Sequence, residues 1–226
     1  MKDRDERREP HPGFFLVLEG PDGGGKTTQA ARIAEELRAR GLEIVTCRDP
    51  GGTALGDWLR SILMERETVP LSMRAEMLLF MASRAQMVEE IIRPALDSGH
   101  LVVCDRFLLS TIVYQGLAGG LDPKEIAAVG RAATGGLVPD LTIVLDVPAE
   151  TARARVGPAR DRIEDRAADY YERVRAGYQD AAMRRRGLDK LYGTSISMVD
   201  ASLDPESVFL LIRREVNLAL ALDPRS

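Results

Sequence analysis

Short apolar runs alternate with longer segments whose apolar residues recur at helical spacing, beginning at Phe14 and continuing to the C-terminal region. Five runs have strand length: 14–18 (Phe-Phe-Leu-Val-Leu), 43–47, 101–104, 141–146 and 195–199. Helices are expected between them. Thr27 to Arg40 stops at Gly41, Ser72 to Ser98 runs into Gly99, and Pro123 to Thr134 opens on a proline that follows Asp122, in keeping with proline at helix starts and glycine just past helix ends. Strand and helix in strict alternation predict βα units, and hence an α/β fold with a five-stranded parallel sheet flanked by helices. Ligands of such sheets lie beyond the carboxyl ends of the strands. That rule gathers Asp22, Arg48-Asp49, Asp105-Arg106 and the segment after Asp146 around one crevice.

The chain has 226 residues, 45% of them apolar, enough for one sizeable core. Its 31 basic and 35 acidic side chains leave a net charge of −4, which argues against a nucleic-acid binder working through a basic face. Any anion must be held by a few local groups. Cys47 and Cys104 each end an apolar run and read as small buried hydrophobes, and two histidines, His11 and His100, argue against a His-based metal site. Met1 to Gly13 is charged, carries two prolines and lacks the apolar stretch of a signal peptide, so a disordered lead-in (1–13), a single domain (14–222) and a short tail (223–226) are expected. No run approaches the roughly 18 apolar residues of a membrane span. The expected location is cytoplasmic, without a membrane partner.

The first apolar run leads directly into Gly20-Pro21-Asp22-Gly23-Gly24-Gly25-Lys26-Thr27-Thr28. Gly-x-x-x-x-Gly-Lys-Thr between a strand and a helix is a phosphate-binding loop, in which backbone N–H groups converge on phosphate oxygens at the positive end of the helix. Lys26 is then expected on the outer phosphates and Thr27 on Mg²⁺. A glycine-rich turn that bound nothing would need neither residue. Asp105, at another strand end, can hold Mg²⁺ through water or accept a hydrogen bond, and Arg106 can fork onto phosphate oxygens. Phe80 and Arg84 are four apart on an expected helix and share a face. An aromatic plane beside a guanidinium suits a pyrimidine, one stacking and the other bonding a carbonyl. The Asp49-Pro50-Gly51-Gly52 turn is a candidate for a cis bond before Pro50. A guanine-reading Asn-Lys-x-Asp is absent, since Asn217 is the chain's single asparagine and Leu218 follows it.

These motifs together resemble the thymidylate kinase family over roughly residues 14 to 200. Besides the loop, the resemblance rests on Arg48-Asp49-Pro50-Gly51-Gly52-Thr53, on Phe80-Met81-Ala82-Ser83-Arg84-Ala85-Gln86, and on Asp105-Arg106-Phe107 followed by Ser110-Thr111 and Tyr114-Gln115-Gly116. It implies a nucleoside-monophosphate-kinase-like fold with a short lid, and ATP- and Mg²⁺-dependent phosphorylation of dTMP to dTDP in dTTP biosynthesis. It also places Thr111 against the base, Tyr114 near the sugar 2′ position, Asp22 near the 3′-hydroxyl and metal, and Arg48, Asp49 and Pro50 around the acceptor phosphate. Gly20 to Thr28 would hold the ATP phosphates, Thr27 and Asp105 the metal, and Phe80, Arg84, Arg106, Thr111 and Tyr114 the acceptor. A homodimer is implied, packed through helices that include 84–95, where Met87, Ile91 and Ile92 form an apolar stripe. A core stripe would look the same.

One departure is informative. Many members carry an arginine inside the loop; here Lys26 is the loop's only cation. Arg153, Arg155, Arg160, Arg162 and Arg166 follow Asp146, and Asp161-Arg162-Ile163-Glu164 resembles the lid of the bacterial type, which carries its catalytic arginine there. The expected lid is 152–166 and the expected catalytic set is Lys26, Asp105, Arg106 and Arg162. Arg155, Arg162 and Arg166 would form one stripe on a continuous helix, which Gly157-Pro158 interrupts. Another nucleotide kinase and a non-catalytic nucleotide-binding protein are the rival readings.

Overall fold

Strands buried on both faces need apolar residues at nearly every position, and the chain meets that need in the runs around 14, 101 and 141. The structure, a computed structural model, describes residues 13–65, 70–156, 163 and 166–221. Its strands are β1 (Phe14–Glu19), β2 (Ile44–Arg48), β3 (Leu101–Asp105), β4 (Leu141–Asp146) and β5 (Ser195–Asp200), all parallel in the order β2-β3-β1-β4-β5. The helices are α1 (Lys26–Ala39), α2 (Ala54–Met64), α3 (Met73–Met87), α4 (Arg93–Asp97), α5 (Leu108–Thr111), α6 (Pro123–Thr134), α7 (Ala149–Val156), α8 (Ala168–Ala182), α9 (Leu188–Tyr192) and α10 (Pro205–Ala219).

Successive side chains of β1 enter different cores, as strand geometry requires. Phe15 and Val17 join Val102, Cys104, Met77, Met81 and Tyr178 on one face, while Leu16 and Leu18 join Ile33, Leu37, Val103 and Ile212 on the other. Full burial of each large apolar side chain contributes about 1.5–3 kcal/mol. This packing fixes register, because a slip of one residue would exchange the two faces. Leu18 and Arg48 both lie opposite Asp105. The ladders run one residue further, with Asp49 N donating to Asp105 O at 3.0 Å and Arg106 N to Leu18 O at 2.9 Å. Three chain segments therefore leave the sheet side by side at its carboxyl edge.

Each expected strand is present within one residue, and α6 has the expected bounds. The expected helix over Ser72–Ser98 is divided. It runs as α3, widens into a π turn over Val88–Ile92 and ends as α4. Pro94 has no N–H for the α-helical ladder, and a wider turn just before it absorbs the break. Met87 and Ile92 of the stripe expected at a subunit interface are fully buried in the chain's own core, and Ile91 packs against them. That stripe is a core stripe. Of the expected lid, 157–162, 164 and 165 lie outside the described residues, and Arg160 and Arg162 with them. Arg155 and Arg166 form no common stripe: Arg155 donates to Ala201 O at 2.8 Å, whereas Arg166 reaches Glu76 at 2.7 Å. Among the described residues no helix is long and apolar enough to cross a membrane.

The helix α10 begins at Asp204, whose carboxylate accepts from Glu206 N and Ser207 N at 3.1 Å and from Ser207 Oγ at 2.6 Å. The Ser207 hydroxyl, then its backbone N–H, hold this carboxyl below the ordinary 3.8. Between its folded and unfolded pKa values the unfolded chain binds more protons, so the cap's contribution is complete above about pH 3.8 and is lost as pH falls through the folded value. Denaturant titrations should show Asp204→Ala less stable than wild type at neutral pH, with the gap closing in acid. A gap of constant size would show that the cap does not depend on an ionised carboxylate.

Candidate active site

Between β1 and α1 the backbone turns through the left-handed region at Gly23 and Gly25. Gly25 starts the helix at φ 84°, a left-handed value that costs other residues energy. At Gly23, φ is 77° and a Cβ atom would lie 2.2 Å from the carbonyl oxygen of Ala152. The loop is thus pressed between α1 and α7. Lys26 is folded back inside it, its Nζ donating to Pro21 O at 2.8 Å. Burial, and then the nearby Arg106 guanidinium, press this ammonium down to about 8 against the pull of Asp22, Asp105 and Glu19. An anion arriving beside Lys26 would relieve that crowding.

Thr27, the next residue, donates its hydroxyl to Asp105 Oδ2 at 2.5 Å. This contact joins the start of α1 to the end of β3. A hydroxyl and a carboxylate are hard oxygen donors suited to Mg²⁺, which keeps several of its waters and takes few protein ligands.

Arg106 occupies the middle of the crevice. Its φ is 73°, a conformation that costs a non-glycine residue roughly 1–3 kcal/mol and persists where surroundings over-determine it. Its Nη1 donates to Gly20 O and Ser110 Oγ at 2.9 Å and to Tyr178 OH at 3.2 Å, and its Nη2 pairs with Asp22 Oδ1. Tyr114, under the same guanidinium, donates to Asp22 Oδ2 at 2.9 Å. Burial alone would raise the Asp22 carboxyl, but Arg106, Lys26 and these hydrogen bonds hold it below the ordinary carboxylate value. Asp22 is therefore an ionised acceptor beside the loop.

On the facing wall Arg84 and Asp49 form an ion pair at 2.5 Å, each side chain 1% exposed. Arg84 Nη2 also donates to Thr111 Oγ1 at 2.9 Å and to Phe107 O at 3.3 Å. The cis bond before Pro50 is present, and Arg60 Nη1 donates to Pro50 O at 3.0 Å. Burial raises the Asp49 pKa although Arg84 opposes the shift. Asp49 Oδ1 is buried without a hydrogen-bond partner among the described residues. One turn of α3 before Arg84, half-buried Phe80 reaches the same cavity, as their spacing of four requires.

These walls enclose a cleft of about 330 Å³, within the range of small-molecule sites. From the residues expected at the site it is lined by Asp22, Gly23, Gly25, Lys26, Thr27 and Thr28 of the loop, by Arg48, Asp49 and Pro50, by Phe80 and Arg84, and by Asp105, Arg106, Thr111 and Tyr114. Gly20, Pro21 and Gly24 are in the loop but not on the cleft wall, Gly20 and Pro21 contributing carbonyls to Arg106 and Lys26. Arg162 lies outside the described residues. Sequence reasoning missed Arg60, Met64, Ser110, Gln115 and Ile163, which also line the cleft. Recognising α2 would have supplied the first two: Thr53 caps it, accepting from Gly56 N at 2.9 Å, and Gly56, Leu59 and Leu63 form its buried face. The buried Glu76 accepts from Gln115 Nε2 and from Arg166 Nη2, both at 2.7 Å, and no local signal announces such a pairing.

A family model described as thymidylate kinase matches residues 18–212. A thymidylate kinase of Desulfovibrio desulfuricans is 41% identical over 216 residues, covering 92% of this chain and 96% of that protein. One from an Exiguobacterium species is 42% identical over 198 residues, covering 87% and 90% respectively. The crystal structure of thymidylate kinase from Ehrlichia chaffeensis is similar with a TM-score of 0.71 at 30% identity, covering 90% of this chain and 98% of that one.

Removing one partner of a buried ion pair strands the other charge and typically costs about 3–5 kcal/mol. Arg84→Met should lower the unfolding free energy by about 3 kcal/mol, and adding Asp49→Asn should recover part of that loss, since the amide is neutral. Denaturant unfolding of the two variants checks this. A single variant as stable as wild type would show that the pair contributes nothing to the fold.

Proposed function

The chain belongs to the thymidylate kinase family, and we propose that it transfers the γ-phosphoryl group of ATP to dTMP, giving dTDP for dTTP synthesis. It is a phosphotransferase. The observation that carries the substrate reading is one shared cleft, in which the glycine-rich loop faces a wall built from Phe80, Arg84, Thr111 and Tyr114. Two anionic nucleotides meeting there satisfy the needs of in-line transfer, which are alignment and positive charge rather than a covalent intermediate.

Gly20 to Thr28 hold the triphosphate at the start of α1, with Lys26 turning from Pro21 O to the outer phosphates. Thr27 and Asp105 hold Mg²⁺, which neutralises phosphate charge when bound. Arg106 forks onto the acceptor phosphate, flanked by Arg48 and the Asp49-Pro50 turn. Phe80 stacks on the pyrimidine, with Arg84 and Thr111 at its polar edge. Asp22 takes the 3′-hydroxyl, and Tyr114 occupies the space that a 2′-hydroxyl would need. A lid arginine completes the positive charge, with Arg162 the first candidate because Arg155 and Arg166 already engage Ala201 O and Glu76.

A cytoplasmic homodimer is part of this reading. The buried Met87 and Ile92 give it no support; the exposed Leu55, Trp58 and Leu78 on the mutually packed α2 and α3 do. Sedimentation at working concentration tests it, a monomer being the contrary result.

With ATP and Mg²⁺, dTMP should stimulate ATP consumption more than any other monophosphate in a nucleotide panel, and chelation should abolish turnover. In the same panel Tyr114→Ala should narrow the kcat/KM preference for dTMP over its ribo counterpart. A better substrate among the other monophosphates would refute the acceptor assignment, and metal-independent turnover would refute the metal's part.

Alanine substitution along the lid should lower kcat most at Arg162, by about 10³-fold or more, with dTMP affinity little changed, as for other transition-state arginines. Less than about tenfold at Arg162 and a larger loss at Arg153, Arg155, Arg160 or Arg166 would move the role to that residue.

A further inference from the structure

Glu19, the last residue of β1, is fully buried and takes no part in the mechanism above. Its Oε1 accepts from Phe107 N at 2.9 Å and Ser110 N at 3.1 Å. Its Oε2 accepts from Ser110 Oγ at 2.6 Å and from Tyr178 OH at 3.0 Å. The same two hydroxyls receive Nη1 of Arg106, at 2.9 and 3.2 Å. We propose that Glu19 is a positioning residue for Arg106, acting through the hydroxyls of Ser110 and Tyr178 to hold the guanidinium on the acceptor phosphate.

Hydrogen-bond polarity links the carboxylate to the guanidinium. Two backbone N–H groups, which can only donate, fix Oε1 as an acceptor, and the Ser110 and Tyr178 hydroxyls, themselves 2.9 Å apart, donate to Oε2 and present lone pairs to Arg106, which only donates. The hydroxyls thereby pass the charge of Glu19 to the guanidinium without direct contact. Glu19 also binds the N–H of Phe107, the residue immediately after Arg106, and so secures the left-handed backbone from which the guanidinium projects. β1, the β3–α5 connection and α8 converge on this one carboxylate.

An isosteric substitution inverts the polarity. In Glu19→Gln the amide oxygen must remain with the two backbone N–H groups, which cannot accept, and this turns the NH₂ toward the hydroxyls. They must then accept from it, and the displaced hydrogens are left to the other hydroxyl, 2.9 Å away, or to the side of Arg106. The inference rests on the assignment of Arg106 to the acceptor phosphate, so the readout compares two ligands differing only in that group, dTMP and thymidine. Calorimetric titration should show Glu19→Gln binding dTMP about tenfold more weakly, the scale of one charge-assisted hydrogen bond, with thymidine within about twofold of wild type. Tyr178→Phe, which deletes one hydroxyl and leaves the carboxylate, should shift dTMP alone by about threefold, and it decides the matter if Glu19→Gln does not fold. Equal weakening of both ligands, or no weakening of either, would overturn the positioning role. Arg106→Ala is the reference: it should remove the preference for dTMP over thymidine. If it removes the preference while Glu19→Gln and Tyr178→Phe preserve it, only the positioning role fails. If it preserves the preference, the phosphate assignment of Arg106 fails first and this inference with it.

Discussion

Like charges held in one crevice are the constraint to which this site answers. Lys26, Arg48, Arg60, Arg84 and Arg106 line the same cleft, and Asp22, Asp49 and Asp105 stand among them. Burial, and then repulsion from Arg106, press Lys26 down to about 8 even with Asp22, Asp105 and Glu19 pulling the other way. The arrangement persists because Asp49 neutralises Arg84, Asp22 neutralises Arg106 and backbone carbonyls take Lys26 and Arg60. Register supplies the acceptors, since Leu18, Arg48 and Asp105 lie side by side near the carboxyl ends of three adjacent parallel strands.

This constraint links packing to chemistry. The pairs that neutralise Arg84 and Arg106 also orient them, and a guanidinium fixed beforehand loses less freedom when it meets a phosphate or a base edge. Glu76 extends the logic to α8, since one buried carboxylate holds both Gln115 on the cleft and Arg166 just before that helix. Arg175 and Gln179, further along α8, both donate to Asp146 at the end of β4. The helix α8 is tied to the sheet edge by charge as well as by apolar contact.

Much of the frame was legible in the sequence. Parallel strands buried on both faces leave apolar runs, and a phosphate loop leaves glycines at fixed spacing before Lys-Thr, so β1 to β5 and the loop could be read locally. The Phe80–Arg84 spacing was likewise sufficient to place both on one cavity. Pairings across distant positions left no such trace. Asp49 with Arg84, Glu19 with Tyr178 and Glu76 with Arg166 are separated by 35, 159 and 90 residues, and only the folded chain brings them together. The Met87–Ile91–Ile92 stripe was ambiguous for a related reason, because apolar spacing reports a buried face and not whether the same chain or a second copy covers it. The π turn before Pro94 and the cap at Thr53 had local signals, in a missing N–H and a capping hydroxyl.

In the proposed reaction one cleft aligns the acceptor phosphate with the loop through Arg106. A crystal structure with dTMP and a non-hydrolysable ATP analogue measures this directly. The dTMP phosphate should lie on the Arg106 guanidinium, its base between Phe80 and the Arg84–Thr111 edge, and the analogue's outer phosphates on Lys26. A dTMP phosphate bound away from Arg106, or a base outside the Phe80 wall, would contradict it.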